Sequence, residues 1–342
     1  MNIFVTGGAG FIGSNFIRHI LGKYADYKVV NFDKLTYAGN LQNLADLSGD
    51  PRYKFVKGDI CDASAVISAV KGADAIVHFA AESHVDRSIV NGDDFLRTNI
   101  IGTRVLLEAA LQGAVKRFIH ISTDEVYGSI EKGSFTEDSL LDPSSPYSAS
   151  KAAADLLVGS YVVTYGLPAS IVRSTNNFGP YQYPEKMIPL FITNLLEGKK
   201  VPLYGDGMNV RDWLYVEDNC RAVDLVLHKG ESGGIYNIGA GNEIANIALS
   251  KKLLKALSRD SSFIERVDDR PGHDRRYSVE RSKITKLGWV PESRFEDALE
   301  ETIIWYKEHV DWWRPLKEKL GEDSYHWLKR DAGKGARPGV TR

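Results

Sequence analysis

Short apolar runs rich in β-branched residues recur at 2–6, 28–32, 53–57, 74–79, 117–122 and 168–174. Their length and composition predict buried strands. Between them, helical patterns fall near 11–22, 62–70, 95–113 and 146–165. Strands alternating with helices predict an α/β fold built on a parallel, doubly wound sheet. Past residue 175 the rhythm breaks. Gly179-Pro180-Tyr181-Gln182-Tyr183-Pro184 has the chemistry of a loop, and a helix is expected near 185–198. Trp213–Val216 and Ile235–Ile238 read as two more short strands, and the segments near 211–240 are expected to return to the first sheet. Helices near 245–257 and 295–313 complete a smaller α/β C-terminal lobe. The expected division is 1–175, then 176–320, then a peripheral tail over 321–342.

A formal net charge of −2 gives no bulk attraction to nucleic acid or to an anionic membrane, so neither is an expected partner. Any anionic ligand must be held by a local basic cluster. Cys61 and Cys220, without neighbours at metal-ligand spacing, fit a reducing compartment, and both read as small core residues. No metal site is expected. The first strand begins at Asn2 without a leader pattern, and no apolar stretch approaches a membrane span; the expected location is the cytoplasm.

Where the first strand gives way to a helix, Thr6-Gly7-Gly8-Ala9-Gly10-Phe11-Ile12-Gly13 matches the dinucleotide fingerprint. Its glycines allow a tight turn and close approach of a pyrophosphate, whose charge the helix N-terminus favours. Asp33 closes the second strand twenty residues after Gly13, where a carboxylate accepts ribose hydroxyls and repels a 2′-phosphate. NAD is thus favoured over NADP, with Lys34 weakening the preference. Gly58-Asp59-Ile60, after the third strand, is placed to cap the adenine. This is a Rossmann-type arrangement.

Four Tyr-x-x-x-Lys matches occur, at Tyr24, Tyr53, Tyr147 and Tyr325, so the pattern alone says little. Only Tyr147 opens a convincing helix, with Ser144 or Ser145 as cap and Pro146 in the first turn. Lys151 then lies one turn on, and its ammonium is expected to lower the tyrosine pKa toward working pH. Ser122-Thr123-Asp124-Glu125 ends another strand on the edge where open α/β sheets bind ligands. A nicotinamide cofactor with Tyr and Lys oxidises an alcohol; an added acid and base can also move a proton and expel water. The chemistry suggested is redox coupled to elimination. Ala80 and Ala81 permit close cofactor approach, and His84 is either a base or a structural, substrate-lining residue. Arg211 and Arg270 are the best diphosphate anchors, because guanidinium forks suit phosphate oxygens.

These segments, together with Asp33-Lys34-Leu35-Thr36-Tyr37-Ala38-Gly39, Ala80-Ala81-Glu82-Ser83-His84-Val85-Asp86-Arg87-Ser88, Asn176-Asn177-Phe178-Gly179-Pro180, Asp269-Arg270-Pro271-Gly272-His273-Asp274 and Leu287-Gly288-Trp289, resemble the extended short-chain dehydrogenase/reductase family. The likeness spans roughly 1–316 and is strongest to the nucleotide-sugar dehydratases of that family, because Asp124-Glu125 follows the threonine. Met187 stands where a leucine is more usual. The resemblance implies that bound NAD is regenerated in every turnover on dTDP-glucose. Tyr147, assisted by Lys151 and Thr123, would take the proton from the 4-hydroxyl; Glu125 would remove the C5 proton and a protonated Asp124 would release the C6 hydroxyl as water. Implied cofactor contacts are Gly7, Gly10, Phe11, Ile12, Gly13, Asp33, Lys34, Thr36, Asp59, Ile60, Ala80, Ala81, Ser83, Thr98, Tyr147 and Lys151. Implied substrate contacts are Ser83, His84, Thr123, Asn176, Asn177, Lys186, Pro202, Tyr204, Arg211, Asn246, Arg270, His273 and Tyr277. It also implies a homodimer paired through 95–113 and 146–165. A 4-epimerase, a UDP-sugar dehydratase, a plain dehydrogenase and a silent NAD-binding regulator are the competing readings.

Overall fold

The central sheet follows from strands whose successive side chains enter two different cores. The structure, a computed structural model, describes residues 1–320. The expected tail and the Tyr325 motif lie outside the described residues. Strands β1 (Asn2–Thr6), β2 (Lys28–Asp33), β3 (Tyr53–Lys57), β4 (Ala75–His78), β5 (Arg117–Thr123) and β6 (Ala169–Ser174) run parallel. Ile3 and Val5 enter one core with Phe16, Ile20 and Val77, while Phe4 enters the other with Ile76, Leu106 and Phe118. The period-2 alternation of a sheet covered on both faces explains why the inner strands read as nearly continuous apolar sequence, while the edge strand β3 leaves Lys54 and Lys57 exposed.

Four short strands follow, β7 (Asn176–Phe178), β8 (Val201–Tyr204), β9 (Val210–Tyr215) and β10 (Ile235–Ile238), and then β11 (Glu243–Ala245) and β12 (Ile264–Val267). The order of the large sheet is β10-β6-β5-β4-β1-β2-β3, the doubly wound pattern with one strand added at the edge. Of the late segments, only Ile235–Ile238 joins that sheet. Val210–Tyr215 instead lies between β11 and β7 in a separate three-stranded sheet. Apolar alternation cannot distinguish the two, because both strands bury side chains and differ only in which backbone they meet.

Two expected helices are broken. The stretch near 95–113 opens as a wide π turn, Leu96–Gly102, before regular helix over Thr103–Gln112. Asn99 on that turn bonds Glu82 N (2.9 Å), Glu82 O (3.0 Å) and Ser150 Oγ (2.8 Å), tying the β4 loop to the helix that carries Tyr147. The stretch near 295–313 divides at His309 into Phe295–Glu308 and Val310–Leu320, and Trp313 turns back to donate to Tyr306 O at 2.7 Å. By contrast Pro146–Tyr165 is a single helix. Ser145 and Ser148 form its capping box, and Gly166 closes it in the left-handed region at φ 66°. Cys220 is a core residue, but Cys61 is only half-buried, its Sγ on Arg97 O at 3.3 Å. Among the described residues no helix is long and apolar enough to cross a membrane.

Candidate active site

All the sheet's parallel strands deliver their carboxyl ends to one edge, and a cleft opens there. Its first wall is the glycine loop after β1. Gly7 has φ +69°, and a Cβ on it would lie 2.5 Å from Ala80 N, so the β1 and β4 loops touch backbone to backbone. A Cβ on Gly13 would lie 2.4 Å from Gly7 O. The Phe11–Lys23 helix therefore begins as close to the turn as the chain allows, its free amides facing the cleft. Asp33 at the end of β2 accepts from Ala9 N at 2.9 Å and Leu35 N at 2.8 Å. Burial pushes its carboxyl up, and those two amides pull it back. Lys34 is not free to meet a 2′-phosphate, because its Nζ lies 2.9 Å from Asp59 Oδ2. A bare glycine cradle, a helix N-terminus and a carboxylate at the second strand fit NAD, and Thr36, Ile60, Ala80, Ala81, Ser83 and Thr98 line the same cleft.

Thr123, Asp124, Glu125, Tyr147 and Lys151 form the floor of that cleft. Thr123 caps the turn Asp124–Tyr127: its Oγ1 accepts from Glu125 N and donates to Asp124 Oδ1, both at 3.2 Å. Lys151 Nζ donates to Ile121 O at 2.7 Å, and burial brings its ammonium down to about 8. The expected lowering of Tyr147 is not found among the protein's own groups. Burial first, and then the charge of Glu125, push its hydroxyl up, with the Thr123 hydroxyl opposing.

The two adjacent carboxyl groups have different surroundings. Asp124 is 2% exposed, and its Oδ2 has no hydrogen-bond partner among the described residues. Burial, and then the charge of Glu125, hold it well above the carboxylate range, so it keeps its proton. Glu125 is half-buried at the cleft. Burial raises it on balance too, but Arg270, Arg211 and Lys186 oppose the rise, where Asp124 is lifted well above its range. A donor and an acceptor of protons thus stand side by side.

Beyond Glu125 the walls come from many segments. Asn176, Asn177 and Lys186 line the cleft, and Lys186 Nζ donates to Ser83 O at 2.7 Å. Arg211, Asn246, Arg270, His273, Tyr204 and Tyr277 form an adjoining cluster instead of lining the glycine-loop cavity. Tyr204 donates to Asp86 Oδ2 at 2.8 Å, and the Arg270 guanidinium lies 3.6 Å from Asp86 Oδ1. Arg211 stacks 4.1 Å over the Tyr277 ring and donates to Asp274 O at 2.9 Å. His273 sits 2.6 Å from Asp269. Arg270 Nη1 and Asn246 Oδ1 are buried without partners among the described residues, the mark of groups shaped for a ligand. Pro202 lies on β8, paired in register with Glu265. His84 caps the Val85–Val90 helix by accepting from Arg87 N at 3.4 Å, and burial keeps its imidazole well below the usual range. Its geometry is that of a cap.

Glu185 was not anticipated. It is buried in the cleft with Arg87 Nη2 3.3 Å away, and Gln182 and Tyr183 line the cleft beside it. The only sequence signal was the loop that precedes it. Among the described residues no group of His, Cys, Asp and Glu is placed to hold a metal.

Comparison with known proteins shows which family the chain resembles. Residues 4–302 match the family profile described as GDP-mannose 4,6 dehydratase. A dTDP-glucose 4,6-dehydratase of Streptomyces niveus is 52% identical over 322 residues, covering 93% of this chain and 96% of its own. A low-salt glycan biosynthesis protein of Haloferax volcanii is 54% identical, over 90% of this chain and 98% of its own. The crystal structure of a dTDP-glucose 4,6-dehydratase from Streptomyces venezuelae, with NAD and TYD bound, is 53% identical and superposes with a TM-score of 0.91, over 92% of this chain and all of that one. The chain belongs to the GDP-mannose 4,6 dehydratase family of extended short-chain dehydrogenase/reductases.

Proposed function

We infer that the protein is an NAD-dependent lyase that converts dTDP-glucose to dTDP-4-keto-6-deoxyglucose with loss of water. The observation that carries this reading is the divergence of Asp124 and Glu125 beside Tyr147. NAD, held by the glycine loop, Asp33 and the Lys34–Asp59 pair, supplies when bound a hydride acceptor for C4 and a hydride donor for C6. Tyr147, with Lys151 and Thr123 beside it, takes the proton of the 4-hydroxyl. The resulting ketone acidifies the C5 proton, which Glu125 removes. Asp124 gives its proton to the C6 hydroxyl, which leaves as water, and Glu125 returns its proton to C5 as C6 is reduced. Arg211, Arg270, Asn246 and Lys186 hold the nucleotide diphosphate, and Asn176, Asn177, Ser83, His273 and Tyr277 complete the substrate wall. A 4-epimerase has no leaving hydroxyl and no use for a protonated Asp124.

The test is mass spectrometry of dTDP-glucose and UDP-glucose after separate incubation with the purified protein, without and then with added NAD. Loss of one water from dTDP-glucose alone supports the reading. Unchanged mass for both overturns it.

Two copies are proposed to pair through Leu96–Gln112 and Pro146–Tyr165, which together present Leu96, Ile101, Leu156 and Val163 to solvent. Light scattering that finds only monomer for the native chain would count against this. The free thiols Cys61 and Cys220 fit a cytoplasmic enzyme.

A further inference from the structure

Behind Lys151, away from the cleft, is a buried polar cluster that the proposed reaction leaves without a task. Asp155 stands one helical turn after Lys151 on Pro146–Tyr165, and the two are 2% and 3% exposed. Asp155 Oδ2 accepts from Arg173 Nε at 2.8 Å, and its Oδ1 lies 3.4 Å from His120 Nε2. Arg173 Nη1 donates to the Tyr127 hydroxyl at 2.7 Å, which donates to Asn237 Oδ1 at 2.8 Å.

The two histidines of this layer carry no charge. Thr103 Oγ1 gives its proton to Asn99 O at 2.6 Å, so it accepts from His78 Nε2–H at 3.0 Å. His78 Nδ1 is then bare and accepts from the Thr6 hydroxyl at 2.8 Å. Burial pushes His78 well below its usual range and His120 to about 4.

Lys151 is surrounded by titratable and charged groups from several elements. Tyr147 and Asp155 share its helix; His120 comes from β5, with Asp124 and Glu125 in the turn after it; His78 comes from β4, and Arg173 from β6, with Tyr127 beside it. Asp124 keeps its proton, and Glu125 faces the cleft cations. The charge that counters burial at Lys151 is that of Asp155. An Asp–Arg pair that served packing alone would be matched by two apolar residues of similar volume. Here the carboxylate accepts from its arginine while standing one helical turn from the lysine of the site.

We propose that Asp155 is a positioning residue for the proton chemistry at Tyr147: its buried carboxylate, one turn from Lys151, holds that lysine as an ammonium one turn from Tyr147 on the same helix. The role rests on the reading of Tyr147 as the base at the 4-hydroxyl.

The test follows the Lys151 Cε resonance of carbon-13-lysine-labelled protein across pH, the signal being identified by its loss in Lys151→Met. The same variants are assayed for kcat against pH. Asp155→Asn should lower the Lys151 midpoint by about one pH unit or more and move the falling limb of kcat with it. Asp155→Glu should restore both. Arg173→Gln, which removes a cation, should move the midpoint up. An unchanged midpoint in folded Asp155→Asn overturns the proposal, and so does no rise in Arg173→Gln, which decides the matter if the asparagine variant does not fold. The titration needs no substrate. Native protein that leaves dTDP-glucose unchanged would sink the functional reading while the resonance still reports on Asp155.

Discussion

The two ends of the cleft are built by opposite means. At the cofactor end, short contiguous loops at the tips of β1 to β4 present backbone: the bare turn at Gly7 and Gly13, and the amides of Ala9 and Leu35 on Asp33. At the nucleotide-sugar end, side chains from residues near 83–86, 176–186, 204–211, 246 and 270–277 converge through pairs such as Tyr204–Asp86, Lys186–Ser83 and Arg211–Asp274. The first end is as rigid as the sheet beneath it. The second is as good as its side-chain contacts, and the proposed function puts substrate specificity there. Asp124, Glu125 and Tyr147 stand at the junction and draw on both.

The largest effect is expected at that junction. Tyr147→Phe should lower kcat by about 10²–10⁴-fold while calorimetry finds dTDP-glucose affinity nearly unchanged. Equal loss of affinity would move Tyr147 to the binding end. Asp124→Asn should slow water loss by about 100-fold, with C4 oxidation persisting and bound NADH becoming visible by absorbance. If both steps fall alike, its assignment as the acid is wrong.

The two ends should then fail separately. Arg270→Leu removes a charged donor and should weaken dTDP-glucose binding by about 10–100-fold, with NAD content unchanged. Gly13→Ala should do the reverse. Its Cβ would lie 2.4 Å from Gly7 O, so purified protein should carry little NAD and lose about 1–3 kcal/mol of stability in denaturant melts. A variant at either end that abolished both ligands would blur the division.

The smallest effect is that of pH on the native enzyme. In the proposed reaction Glu125 must be ionised to act as base, and burial raises it, so kcat should rise with pH above the ordinary carboxylate range. The proposed reaction also needs Lys151 charged, so kcat should fall as pH passes about 8. A profile flat through the ordinary lysine range would show that the Lys151 charge is not required.

Much of the cofactor end was legible in the chain because its signals are local. A strand of alternating burial, a turn that only glycine can make and a cap three residues from its partner are all properties of short-range backbone geometry. Gly7 to Gly13, Asp33, Asp59 and the Tyr147 helix could therefore be placed from spacing. The nucleotide-sugar end shows in the chain only through resemblance, since nothing in the spacing of Tyr204, Asn246 and Arg270 says that they meet. Only the tertiary structure could separate Val210–Tyr215 from the large sheet, make His84 a helix cap, bury Glu185 beside Arg87 and put Asp155 behind Lys151. It also decided which member of Asp124-Glu125 keeps its proton. Adjacent in sequence, the two differ in desolvation and in which distant cations they face, and both quantities exist only once the chain has folded.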